Sequence, residues 1–153
     1  MYSKDQASKL KQEFWTTFGQ YLALQLSSEG NRVNWINYKT GIKHLYFRMQ
    51  ADQKTASIGI EMANPDSSIQ ELLFEQFREF KTILTSYLGE EWDWDLHTVD
   101  EYGKTISRIY TKIENVSIFK KEDWPTLISF LKPRIIKLDE FWGDAQHSFN
   151  LFT

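Results

Sequence analysis

The stretch "HLYFRMQADQKTASIGIEM", residues 44–62, decides the fold. Its first half alternates apolar and polar residues, with Leu45, Phe47 and Met49 on one side. After the turn "ADQK", the alternation resumes from Ala56 to Met62. Successive side chains of a strand point to opposite faces of a sheet. The stretch therefore predicts an antiparallel hairpin with one apolar face and one polar face.

Helical patterns lie on both sides of this hairpin. Apolar residues recur every three or four positions over residues 4–26, and Gly30 follows as a stop signal. A last helix begins near Asp123 and keeps its apolar rhythm to Trp142. Pro133 lies inside that pattern, and since proline lacks a backbone donor we expect a kink or a split there.

A central helix is predicted from Ser68 to Leu88. Ser68 and Glu71 have the spacing of a capping box, and Gly89 closes the apolar pattern. The stretches "EEWDWDLHTV" and "KTISRIYTKI" flank the turn "DEYG" and predict a second hairpin.

Two further segments complete the predicted fold. "RVNWINY" is interpreted as a strand before the first hairpin, and "VSIF" as a short additional strand. The predicted order is α-β-β-β-α-β-β-(β)-α. It describes one α+β domain over residues 1–153, with three long helices and a mainly antiparallel sheet of five to six strands in two hairpins.

The stretch "EEWDWDLH", residues 90–97, allows two interpretations. As a half-buried strand it directs Trp92 and Trp94 to the core, and Asp95 and His97 to the other face. Alternatively, its acids and histidine converge on a metal or substrate. Like-facing residues of one strand lie ~7 Å apart, so a neighbouring strand would have to supply the remaining ligands.

The functional alternative applies to the whole polar face of the predicted sheet. Side chains that could share this face combine acids, bases and guanidinium groups, as the chemistry of a site requires. If the face is instead flat and exposed to solvent, these side chains form ordinary surface ion pairs. The catalytic candidates on this face are His44, Arg48, Glu61, Asp95 and His97. The ligand-binding candidates are Tyr46 and Arg108.

Composition narrows the possible functions. The 153-residue chain has no cysteine, a net charge of −3 and no run that could span a membrane. With no signal-peptide pattern at its N-terminus, we expect a cytoplasmic protein without membrane association. No glycine-rich phosphate loop, nucleophile elbow or paired-histidine motif is present, so we expect neither a cofactor nor a metal.

Two kinds of macromolecular partner remain open. Aromatic residues make up 16% of the chain and are dense near both ends, which favours a homodimer. Basic residues beside aromatics in the last helix, Lys132, Arg134 and Lys137, could contact nucleic acid, although the net charge does not indicate it.

The element order also matches the core of restriction-endonuclease-like nucleases. Those enzymes need an acidic residue on the second core strand and an acid-x-Lys motif on the third. Glu61 is present, but residue 63 is Ala and the strand "HLYFRMQ" has no carboxylate. An active nuclease of this type is not expected.

Several blocks of the chain resemble a known family. "FWTTFGQYLALQ", "NWINYKTGIKHLYFRM", "IQELLFEQFREFKTIL" and "DWPTLISFLKPRIIKLDEFW" are similar to short, stand-alone bacterial members of the domain-of-unknown-function family 4268. Longer relatives carry a nuclease domain, so the resemblance implies, by association alone, a link to restriction or defence systems. It implies no catalytic residues.

Three functional hypotheses follow. The first is a small binding or interaction domain that self-associates and has no catalysis. The second is a nucleic-acid-associated accessory domain. The third is an enzyme that uses the polar sheet face around His44, Arg48, Glu61 and His97.

Overall fold

The computed structural model describes residues 3–153, and in that range four α-helices pack on a four-stranded antiparallel sheet. Met1 and Tyr2, which the predicted domain includes, lie outside the described residues. The elements are α1 (Lys4–Leu22), β1 (Leu45–Ala51), β2 (Thr55–Met62), α2 (Ser67–Glu79), α3 (Lys81–Leu88), β3 (Asp93–Val99), β4 (Thr105–Glu114) and α4 (Trp124–Ala145). Short 3-10 helices span Lys121–Asp123 and Gln146–Phe152. The α+β class is confirmed, whereas the predicted five to six strands and three helices are wrong.

The two predicted hairpins join in one sheet of order β1-β2-β4-β3. Strand β2 is central and pairs with β1 and β4, so Phe47, Ile60 and Ile109 lie side by side. All three are buried, as the apolar alternation of the hairpin predicts. Buried residues of all four helices belong to the same hydrophobic core as these three side chains, so the helices pack on the apolar side of the sheet.

The predicted strand "RVNWINY" does not form. Side chains of this segment satisfy backbone groups locally instead, which competes with a strand ladder. The Trp35 indole donates to the Gln25 carbonyl at 3.0 Å, and Asn34 accepts from the Asn37 amide at 3.1 Å. The segment therefore folds as turns between two isolated bridges, from Arg32 to Leu26 and from Lys39, the next residue along the chain, to Tyr46 of β1.

The predicted strand "VSIF" is also wrong. The amides of Val116 and Ile118 donate to the carbonyls of Lys54 and Asp52, at 3.1 and 2.9 Å. The segment thus lies along the β1–β2 turn instead of extending the sheet. Its backbone is satisfied there, so no additional strand is needed.

The predicted central helix is two helices, α2 and α3, which meet at Phe80. At the junction, the half-buried Phe80 ring packs against Phe141 and Phe149, with centroids 6.3 and 5.6 Å away. The N-terminal cap is Asp66, which accepts from two amides of the first turn, and not the predicted Ser68. Gly89 closes α3 in the left-handed conformation, as predicted.

The outer helices also differ from their predictions. Helix α1 stops at Leu22, short of the predicted residue 26, because the chain turns there and Leu26 forms a bridge with Arg32. Helix α4 begins after Asp123 as predicted and continues unbroken through Pro133, so the predicted split does not occur.

Trp142 of α4 connects the parts of the core. Its indole donates to the Thr40 carbonyl at 2.9 Å. Its ring packs against Phe47 of β1, Phe77 of α2 and Phe149, with centroids 5.8, 6.2 and 5.0 Å apart. One buried side chain thus joins the sheet, two helices and the C-terminal 3-10 helix.

Across residues 3–153, none of the helices combines the length and the apolar character that crossing a membrane would require.

Gly59, in the centre of β2, provides a test of the strand packing. A methyl group there would meet the Tyr110 Cβ at 2.6 Å and the Ile109 carbonyl oxygen at 2.7 Å. We expect Gly59→Ala to lower the free energy of unfolding by about 1–3 kcal/mol, because the backbone of β4 would have to shift. Urea denaturation measures this change.

The matched control is Gly19→Ala in α1, where the added methyl group would lie 3.7 Å from Ile36. That is an ordinary contact, so this variant should gain about 0.5–1 kcal/mol from the better helix propensity of alanine. Equal stability of the two variants would contradict the proposed crowding at Gly59.

Candidate functional site

The sheet has one face that the helices leave uncovered, and we call it the open face. Its central row crosses all four strands: Tyr46, Glu61, Arg108 and Asp95 are consecutive register partners. The alternation that buries the apolar residues of each strand necessarily puts these polar residues on the other side. The neighbouring row runs parallel to it and contains Arg48, Gly59, Tyr110 and Asp93.

A cleft of about 870 Å³ lies on the open face. The β3–β4 turn, residues 100–104, contributes part of its wall. The volume is within the ~300–1,000 Å³ of small-molecule sites. The lining combines both charge signs with tyrosines and includes His44, Tyr46, Arg48, Glu61, Asp100, Glu101, Tyr102, Lys104 and Arg108.

Arg48 and Glu61 form the closest ion pair of the cleft. The Nη2 and Nε atoms of Arg48 donate to the same carboxylate oxygen of Glu61, at 2.9 and 3.3 Å. The guanidinium carbon also lies 4.4 Å from the centre of the Tyr46 ring. The ion pair and the ring together restrict the Arg48 side chain, although 45% of it is exposed.

Arg108 is arranged differently. Its guanidinium carbon lies 3.8 Å from the centre of the Tyr110 ring. Its nearest carboxylate is Asp95, with 3.7 Å between Nε and Oδ2, which is longer than a hydrogen bond. The Nε atom is buried and has no hydrogen-bond partner among the described residues. Arg108 is therefore held in place by stacking, but its donors are underused.

His44 lies at the edge of the cleft, immediately before β1. Its φ of 66° is in the left-handed region, which non-glycine residues seldom adopt. Its carbonyl accepts from the Ala63 amide at 2.9 Å, so the pairing of β1 with the chain after β2 extends to this residue.

His97 does not join the other candidates, which corrects the sequence-based expectation. The register shifts between Asp95 and Thr98, so Leu96 and His97 together oppose the single residue Ser107. The His97 amide donates to the Ser107 hydroxyl, and its Nε2 lies 3.2 Å from the Ser67 carbonyl of α2. The bulge turns His97 toward the helices and away from the cleft.

The structure therefore brings together His44, Tyr46, Arg48, Glu61 and Arg108, with Asp95 beside Arg108. It supports the strand interpretation of "EEWDWDLH" in part: Trp92 is buried, and Asp93 and Asp95 lie opposite Trp94, but β3 begins only at Asp93 and its bulge displaces His97. In the described part of the chain, no three His, Cys, Asp or Glu residues are grouped as a metal site requires.

The three basic candidates of α4 make contacts within the protein. Arg134 binds both carboxylate oxygens of Glu90 at 2.9 Å. Burial raises the pKa of Glu90, but the hydrogen bonds from Arg134 and Trp92 outweigh it and hold that pKa below its usual range. Lys137 donates to the Leu88 carbonyl at 3.3 Å, and Lys132 lies over the Tyr21 ring. Arg134 and Lys137 thus tie α4 to the end of α3 and the residues after it.

A family model matches residues 10–146 of the 153-residue chain. The chain belongs to the family described as a domain of unknown function, DUF4268. Comparisons with curated proteins and with solved structures gave no match. The membership confirms the resemblance, and it assigns no role to any residue of this DUF4268 chain.

A second polar cluster of the DUF4268 chain was missed by the sequence analysis. Asp139 of α4 is buried, accepts from the Tyr38 hydroxyl at 2.5 Å and accepts from the Ser28 amide at 2.7 Å. A cavity of about 410 Å³ lies beside it. The sequence signal for this cluster was an acidic residue, Asp139, next to Leu138 of the apolar stripe in the last helix. A carboxylate buried beside such a stripe needs hydrogen-bond partners from elsewhere in the chain.

The contact between Tyr38 and Asp139 predicts a pH effect. Burial, the hydrogen bond to Asp139 and the negative charges of Asp139 and Glu29 raise the pKa of Tyr38 above its ordinary 10.0. A group whose pKa is raised by folding contributes stability below its unfolded pKa, and loses that contribution as pH rises further. We expect Tyr38→Phe to cost about 1–2 kcal/mol near neutral pH, with the difference from wild type shrinking above about pH 10.

Urea denaturation at a series of pH values up to about 11 measures this effect. Tyr21→Phe, at a tyrosine that is 64% exposed, is the matched control and should change stability little at any pH. A stability difference for Tyr38→Phe that stays constant through the alkaline range would contradict the prediction.

Proposed function

We propose that this DUF4268 chain is a binding domain that takes its ligand in the cleft of the open face. The observation that carries the proposal is the pair of arginines that the sheet presents there, each stacked on a tyrosine of its own strand. Donors that are already held in position lose less conformational entropy when a ligand binds. A rigid sheet with oriented polar groups is therefore suited to recognition.

The proposal is for binding without catalysis. A general base needs a carboxylate or imidazole that can reach its substrate. The Glu61 carboxylate is bound by Arg48, and the His97 ring contacts α2. Among the candidates for acid–base chemistry, Glu61 is thus engaged and His97 lies outside the cleft, which leaves His44 at its edge and favours binding over an enzyme that uses this face. The enzyme hypothesis stays a prediction.

Self-association is the second part of the proposal, with a second copy of the chain as the partner. Ile69 and Leu72 are exposed on α2. Gln76 of the same helix donates to the Ser148 carbonyl, so the 3-10 helix that carries the exposed Leu151 lies beside α2. Exposed aliphatic side chains on neighbouring elements favour an interface between identical copies.

The remaining expectations stay predictions. Nucleic-acid binding through Lys132, Arg134 and Lys137 would compete with the contacts of Arg134 to Glu90 and of Lys137 to Leu88. No specific contact favours it over the cleft. A cytoplasmic location is supported by the absence of cysteine, which suits a reducing compartment.

Ligand binding to the open face can be tested by amide chemical shifts in NMR. The probes are glutamate, inorganic phosphate, an acidic peptide and a single-stranded oligothymidylate. We expect at least one probe to shift the amide resonances of residues 46–50, 57–61 and 108–112. Arg48→Gln should lower the affinity for that probe by about tenfold.

Arg78→Gln is the matched control, because Arg78 also stacks on an aromatic ring and pairs with a glutamate, but on α2. It should leave the affinity unchanged. If no probe shifts the open face, or if the shifts map to the helices, the cleft is not the binding site.

Self-association can be measured separately by sedimentation equilibrium. We expect a dimer at tens of micromolar that Leu72→Glu dissociates, because a charge would be buried at the interface. Leu24→Glu, at a still more exposed position after α1, should leave the dimer intact. A strict monomer in the wild type would remove this part of the proposal.

A further inference from the structure

Arg108 has more hydrogen-bond donors than the protein satisfies. A guanidinium group carries five N–H donors. The Nε atom has no hydrogen-bond partner in the described chain, and the contact to Asp95 is 3.7 Å long. Arg48, on the same face, has two hydrogen bonds to Glu61. The two arginines of the cleft therefore differ in how far their donors are used.

The difference follows from which arginine binds Glu61. Glu61 is the direct register partner of Arg108 across β2 and β4. Arg48 comes from the other neighbour, β1, and both of its hydrogen bonds end on Glu61 Oε2. By binding this carboxylate, Arg48 leaves Arg108 without a close acid on that side.

The Tyr110 ring keeps Arg108 in position despite the missing acceptors. The guanidinium carbon lies 3.8 Å from the ring centre. Stacking of this kind restrains the guanidinium plane and leaves its edge for hydrogen bonds. Arg108 also lines the cleft, and 37% of its side chain is exposed. Because Nε itself is buried, a molecule in the cleft would meet the Nη atoms.

We propose that Arg108 receives the oxyanion group, carboxylate or phosphate, of a small ligand in the cleft. The fork of a guanidinium matches the two oxygens of such a group. A polyanion is disfavoured, because Glu61, Asp95, Asp100 and Glu101 lie in or beside the cleft and would repel a run of phosphates. A single oxyanion, on a ligand small enough for about 870 Å³, suits this mixture of charges.

Arg48 acts in this proposal as a positioning residue. It need not touch the oxyanion, because its role is to hold Glu61 away from Arg108. In Arg48→Gln the Glu61 carboxylate is released and can pair with Arg108, its neighbour on β4. The variant should then bind an anion more weakly, and removing the released charge should restore the binding.

The inference rests on the proposed function and is tested by titration with glutamate and inorganic phosphate, followed by NMR. We expect at least one of these probes to shift amides near Arg108. Arg108→Gln should lower the affinity for that probe by about tenfold or more, and Arg108→Lys should lower it by less. Binding of glutamate alone identifies a carboxylate ligand, and binding of phosphate alone identifies a phosphorylated one.

The positioning role has its own test. Arg48→Gln should lower the affinity for the probe by about tenfold, and the double variant Arg48→Gln/Glu61→Gln should recover most of the lost affinity. A merely structural role of Arg48 would give no such rescue. Thermal unfolding of each variant checks that the fold is kept, and Arg78→Gln again serves as the control.

The outcomes separate the two proposals. If a probe binds the open face equally well in wild type and Arg108→Gln, the role of Arg108 is wrong and the cleft remains a binding site. If only the acidic peptide or the oligothymidylate binds there, the small-oxyanion proposal is likewise overturned. If no probe binds the open face, both proposals fail.

Discussion

The contacts of Trp142 are the interaction on which the rest of the structure depends. Its ring joins β1, α2 and the C-terminal 3-10 helix, and its indole nitrogen satisfies the Thr40 carbonyl. Burial of large aromatic rings supplies much of the free energy that holds helices on a sheet. Because all helices meet on this one side, the other face of the sheet is left uncovered for the cleft.

Asp139, one turn before Trp142, extends the same attachment to the irregular segments. It binds the Ser28 amide and the Tyr38 hydroxyl, so α4 fixes two loops that contain no strand. A buried carboxylate is tolerated only when its lone pairs have donors. The Tyr38 ring then stacks on Phe47 of β1, with ring centroids 5.0 Å apart. Polar and aromatic contacts together hold the edge of the sheet beside the cleft.

The character of the cleft comes from a competition between two arginines for one carboxylate. Arg48 binds Glu61 at 2.9 Å, whereas Arg108 keeps only a 3.7 Å contact to Asp95 and a stacking partner. Membership in DUF4268 assigns no activity to this arrangement. The arrangement itself supports recognition, since oriented donors with unused capacity favour an incoming acceptor.

The sequence by itself determined the α+β class, the first hairpin and the polar face with Arg48 and Glu61, because strand alternation is a local property. The break at Phe80 coincides with its packing against distant rings, whereas the turns at residues 33–39 are made by side-chain hydrogen bonds to nearby backbone groups. His97 lies outside the predicted site because of a β-bulge opposite Ser107, and no local sequence pattern predicts that bulge. Which arginine binds Glu61 depends on strand order, and only the tertiary structure brings β1 and β4 to opposite sides of β2.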